Sequence, residues 1–98
     1  MPAYYPVFLN LEGKRCVIIG GGIIAEGKIS KLKETGAQVT IISPDATPTI
    51  QKMAKKGVVE WTARKYQTGD LEGAFLGIAA TDVRQVNQQI FQEAEELG

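Results

Sequence analysis

One stretch constrains the fold of this chain more than any other. Arg15-Cys16-Val17-Ile18-Ile19 is a continuous, β-branched apolar run, and Gly20-Gly21-Gly22 ends it. A run without polar alternation suits a strand covered on both faces, as in a parallel sheet. The next segment, Ile23 to Thr35, places Ala25, Ile29 and Leu32 at helical spacing and its charges elsewhere. Gly36 stands where a helix-closing glycine belongs. The reading is strand, glycine turn, helix.

The same alternation continues. Gln38-Val39-Thr40-Ile41-Ile42 is a second strand, closed by Ser43-Pro44-Asp45. Thr47-Pro48 reads as an N-cap followed by proline at the first helical position, opening a short helix with Ile50, Met53 and Ala54 on its apolar face. Gly57 ends that helix, and Val58 to Thr62 is expected as a third strand. Gln67 to Leu71 reads as loop, and Ala74 to Ala80 as a fourth, buried strand. Thr81-Asp82 then caps a last helix with Val86, Ile90, Phe91, Ala94 and Leu97 in one stripe. Strands alternating with amphipathic helices imply an α/β, Rossmann-like parallel sheet with helices on both faces. The expected spatial order is 3-2-1, with the fourth strand beside the first.

Composition narrows the function classes. The chain has 98 residues, enough for one domain, and 11 basic against 11 acidic side chains, for zero net charge. Nucleic-acid binders carry a basic excess, so a nucleic-acid partner is not expected. There is no histidine, which removes Ser-His and Cys-His catalysis and histidine-based metal sites. The single cysteine, Cys16, reads as a buried small hydrophobe. No apolar stretch approaches the roughly 20 residues of a membrane span, and Met1 to Tyr5 has no signal-peptide pattern, so a cytoplasmic protein is expected.

Gly20-Gly21-Gly22-Ile23-Ile24-Ala25 matches G-x-G-x-x-A. Gly20 permits a tight turn out of the strand. Gly22 lets a pyrophosphate approach the backbone, and Ala25 lets the helix pack closely on the sheet. Free N–H groups at the helix start then receive the phosphates. A ligand-free tight turn has the same pattern, but the strand before and the amphipathic helix after favour a dinucleotide. The end of the second strand is where an acidic residue often binds ribose hydroxyls. Here it offers Ser43 and, two positions on, Asp45, which reads equally as a turn residue. Between Ser43 and Gln51 there is no Arg or Lys for a 2′-phosphate, which favours NAD over NADP. Ala80 and Thr81, at the end of the strand expected beside the first, are placed for backbone contacts across the crevice. Asp82 reads as a helix cap. Lys28 is within reach of an anion, though a lysine on an exposed helix face is ordinarily just solvated. Gly27, inside the first helix, costs about 1 kcal/mol against alanine. Close approach to the sheet would account for it.

Taken together, several segments resemble the N-terminal domain of the precorrin-2 dehydrogenase and siroheme synthase family. They are Pro6 to Leu11, Gly20 to Ala25 with Lys28, Gly69-Asp70-Leu71, and Ile78-Ala79-Ala80-Thr81-Asp82 with Asn87. The likeness runs over nearly the whole chain. It implies NAD-dependent oxidation of precorrin-2, a tetrapyrrole, to sirohydrochlorin, and in some members insertion of ferrous iron to give siroheme. Carried over by position, cofactor contacts fall on Ile23, Ile24, Pro44 and Asp45. Gly27 departs from the larger, often basic residue of the family. The family also has a further strand, a catalytic aspartate just after it, and a helical dimerisation domain, all beyond Gly98. Residues 1–98 are therefore expected to be an incomplete NAD-binding Rossmann domain without a catalytic residue of its own, from a protein that is a homodimer when intact. An unpaired outer edge on the fourth strand is expected to make the 98 residues self-associate. The competing reading is a nucleotide-sensing module that binds NAD(H) without catalysis.

Overall fold

The structure is a computed structural model, and it describes residues 9–80. The elements run β1 (Arg15–Ile19), α1 (Ile23–Glu34), β2 (Gln38–Ile42), α2 (Pro48–Lys55), β3 (Glu60–Thr62) and β4 (Leu76–Ala79). All three strand pairings are parallel, and the order is β3-β2-β1-β4, as the alternation predicts. Val7, Phe8, Thr81, Asp82 and the expected last helix lie outside the described residues.

Side chains alternate across a strand, and both faces of β1 are buried. Cys16 and Ile18 face one layer, while Val17 and Ile19 face the other. The first layer holds Ala25, Ile29 and Leu32 of α1 and Ile50 of α2, packed on Val39 and Ile41 of β2. Both helices lie on that face because two crossovers of one hand that step in the same direction return to the same side. The opposite face is covered by Leu71, with Tyr66 and Ala74 against it. Burial pushes the Cys16 thiol pKa up, in keeping with a packed core residue. Among the described residues no helix is long and apolar enough to cross a membrane.

Two helix ends show why the elements stop where they do. After α1, Gly36 N–H donates to Lys33 and Ala37 N–H to Leu32. After α2, Gly57 N–H donates to Ala54 at 3.1 Å and Val58 N–H to Met53 at 2.9 Å. This is the Schellman arrangement, with the glycine at positive φ.

Three expectations are corrected. Val58 is used by the α2 cap and is 39% exposed, so β3 begins at Glu60 rather than at Val58. β4 is shorter than Ala74 to Ala80 and is half-buried in alternation rather than buried. Ala74 N–H closes a turn onto Leu71, and among the described residues β4 has only β1 as a strand neighbour. Gly27 does not approach the sheet: it is exposed, and a Cβ there would meet no atom within 4 Å.

Candidate functional site

Parallel strands leave the sheet at the same end, and the chain reverses its direction of travel at β1, which has β2 on one side and β4 on the other. Ligands of open α/β sheets bind at that end, at that reversal. A cleft of about 810 Å³ lies there. Its floor is drawn together by backbone bonds. Gly20 N–H donates to Ile42 at 3.0 Å and Ala80 N–H to Ile19 at 2.9 Å.

The three glycines perform different tasks. Gly20 has φ +133°, and a Cβ there would overlap the Ala80 carbonyl. Gly21 has no special backbone angle, but its Cβ would overlap the Asp45 carbonyl oxygen. Gly22 is the α1 N-cap, extended at φ −95° and ψ −163°, and among the described residues a Cβ there would meet nothing within 4 Å. Gly20 and Gly21 are thus required by internal packing, while Gly22 faces open space in the cleft. It caps α1 with no side-chain bond. The first N–H groups of a helix have no intrahelical acceptor, and the helix dipole adds positive potential beside them. Ile23 and Ile24 follow at 79% and 66% exposed, and both line the cleft.

The second wall is the turn after β2. Ser43 is buried, and its hydroxyl donates to the Asp45 carbonyl at 2.5 Å. Its own carbonyl accepts the Trp61 indole N–H at 3.0 Å. Ser43 therefore shapes the turn. Pro44 and Asp45 are exposed on it. The cap of α2 is Thr47, whose hydroxyl oxygen accepts from Ile50 N–H at 3.2 Å. Asp45 does not cap the helix. Its carboxylate has no hydrogen bond or ion pair among the described residues and lines the cleft. Asp45 also belongs to the turn, through its carbonyl's bond from the Ser43 hydroxyl.

Of the residues singled out in the sequence, Gly20, Gly22, Ile23, Ile24, Ser43, Pro44, Asp45 and Ala80 line this one cleft. Thr81 lies outside the described residues. Lys28 is exposed and does not line the cleft. Sequence reasoning missed Gly21, Thr47, Lys65 and Tyr66, which also line it. For Lys65 and Tyr66 a signal existed. In the order 3-2-1, the segment leaving the third strand emerges beside the second strand's turn.

That segment is held by a two-point ion pair. Arg64 donates from Nη1 to Asp70 Oδ2 at 2.9 Å and from Nη2 to Oδ1 at 2.6 Å. Gln67 N–H donates to Oδ2 at 2.6 Å. The Asp70 side chain is 8% exposed. The Arg64 hydrogen bonds hold its carboxyl below the usual carboxylate range, reinforced by the Gln67 N–H and opposed by burial.

The comparisons with known proteins agree with this geometry. Residues 7–98 match a family model described as "Putative NAD(P)-binding". The chain is 37% identical over 95 residues to siroheme synthase 1 of Aeromonas salmonicida, covering 97% of this chain and 20% of that protein. It is 40% identical over 89 residues to precorrin-2 dehydrogenase of Bacillus subtilis, covering 91% of this chain and 55% of that protein. A solved structure of SirC, precorrin-2 dehydrogenase, superposes with a TM-score of 0.84 at 30% identity, over 90% of this chain and 44% of that one. The chain thus spans about a fifth of the siroheme synthase and about half of the precorrin-2 dehydrogenase. With the glycine turn at the sheet reversal and a family match over nearly every residue, the chain belongs to the NAD(P)-binding family that this model describes.

Proposed function

We propose that this chain is the cofactor-binding part of an NAD-dependent precorrin-2 dehydrogenase, in which a hydride passes from precorrin-2 to NAD and sirohydrochlorin forms on the way to siroheme. The observation that carries this reading is Gly22. Among the described residues a Cβ there would meet nothing, so packing does not call for glycine, and the N-cap position would be served better still by a hydrogen-bonding side chain. A ligand pressed against the start of α1 does call for glycine. The relatives named precorrin-2 dehydrogenase and siroheme synthase supply the substrate class.

In this reading residues 1–98 form one dinucleotide-binding domain. Gly22 and the N–H groups opening α1 hold the pyrophosphate, and the Asp45 carboxylate accepts from ribose hydroxyls. Ser43 and Pro44 set the height of that wall. Ile23 and Ile24 keep water from the ligand's apolar faces, while Ala80 and Thr81 offer backbone groups from across the crevice. The bound dinucleotide supplies the hydride acceptor, and the protein's part is orientation and charge placement. No acid or base is assigned to these residues. The compartment proposed is the cytoplasm, and the assembly, taken from the family resemblance, is a homodimer.

The test is spectroscopic. The full-length protein, incubated with precorrin-2 and NAD, is expected to produce NADH. Intact, folded protein that produces none contradicts the assignment.

A further inference from the structure

The cleft carries two charged side chains among the described residues, Asp45 and Lys65. They arrive from different strands. Ile42 of β2 is in register with Thr62 of β3, so the two chains leave the sheet side by side. They stay tied after leaving it: Ser43 N–H donates to Thr62 at 3.2 Å, and the Trp61 indole donates to Ser43. Lys65 is three positions past Thr62, so it flanks the wall that carries Pro44 and Asp45.

Lys65 is also held by its backbone and free at its tip. Its carbonyl accepts from Arg64 Nη1 at 3.0 Å, within the segment that the Arg64–Asp70 pair closes. Its ammonium makes no hydrogen bond or ion pair among the described residues. The stretch from Ser43 to Gln51 contains no Arg or Lys of its own. The neighbouring strand brings one.

We propose that Lys65 is a specificity residue that receives the 2′-phosphate of NADP(H), so that the cleft takes both dinucleotides. The inference rests on the dinucleotide reading of the cleft. Asp45 alone would favour a ribose diol and repel a 2′-phosphate. The ammonium of Lys65, a residue lining the same cleft, would offset that repulsion and donate to the phosphate oxygens.

The test is titration of the chain with NADH and, separately, NADPH, followed by nicotinamide fluorescence at low salt. Binding of both is expected. Lys65→Ala is expected to lower the NADPH-to-NADH affinity ratio about tenfold, the size of one charge-assisted hydrogen bond. Lys65→Arg is expected to keep the ratio, and added salt to reduce it. Wild-type protein that binds NADH but not NADPH overturns the proposal, as does a ratio unmoved by Lys65→Ala. Circular dichroism confirms that the variants are folded. Wild-type protein that binds neither nucleotide overturns the dinucleotide reading itself.

Discussion

The backbone N–H of Thr47 donates to the carbonyl oxygen of Gly21 at 2.9 Å, joining the two turns that wall the cleft. The Thr47 hydroxyl donates to Glu26 of α1 at 2.9 Å while its oxygen accepts from Ile50 N–H. One residue therefore caps α2 and ties it to α1.

Thr47→Ala removes the cap and the bond to Glu26 together. The expected loss is about 1 kcal/mol of stability, with Thr47→Ser recovering most of it. Denaturant unfolding at neutral pH measures it. Equal midpoints for wild type and Thr47→Ala would contradict the role given to the cap.

The glycine turn separates folding from binding. Gly20→Ala puts a side chain at φ +133° into the Ala80 carbonyl, and an expected cost of about 3 kcal/mol or more lowers the melting temperature sharply. Gly22→Ala meets open space and is expected to lose no more than the roughly 1 kcal/mol of a poorer N-cap, far less than Gly20→Ala, yet bind NADH about tenfold more weakly. Thermal melts alongside NADH titrations distinguish the two. A Gly22→Ala variant destabilised as much as Gly20→Ala would show that this glycine serves the fold instead.

Gly27→Ala is expected to stabilise the protein by about 1 kcal/mol, because the position is helical, exposed and uncrowded. Affinity for NADH should not change, since Gly27 does not line the cleft. A loss of stability would restore the close-approach explanation that the structure removes.

Asp70 has a carboxyl pKa lower in the folded chain than in the unfolded one. Its contribution is fully present above the unfolded value, about 3.9, and is lost as pH falls through the folded value. Asp70→Asn is therefore expected to melt below wild type at pH 7, with the gap closing as the solution is acidified below about pH 4. A gap that stays constant through that window would mean that the Arg64–Asp70 pair does not set the shift.

Much of this architecture is legible locally, for physical reasons. The apolar run at Cys16–Ile19, the spacing of Ala25, Ile29 and Leu32, and the closing glycines Gly36 and Gly57 all act over a few residues. The cleft residues next to the glycine turn and after β2 are legible because strand order decides which turns meet. What escapes is what depends on distant partners. Val58 reads as strand by composition, but a bond to Met53 claims it for a helix cap. The apolar run from Ala74 to Ala80 reads as a buried strand, though β4 is half-buried and has one strand neighbour among the described residues. Lys65 carries no local signal, and it reaches the cleft because the register of Ile42 with Thr62 sets the segment after β3 beside the turn after β2.

Whether the cleft at the β1 reversal binds the dinucleotide is decided by calorimetric titration of NADH into the protein. Saturable binding of one nucleotide per chain is expected, weakened by Asp45→Ala and by Gly22→Ala in proteins that remain folded. No heat of binding up to millimolar nucleotide, or binding untouched by both substitutions, would contradict it.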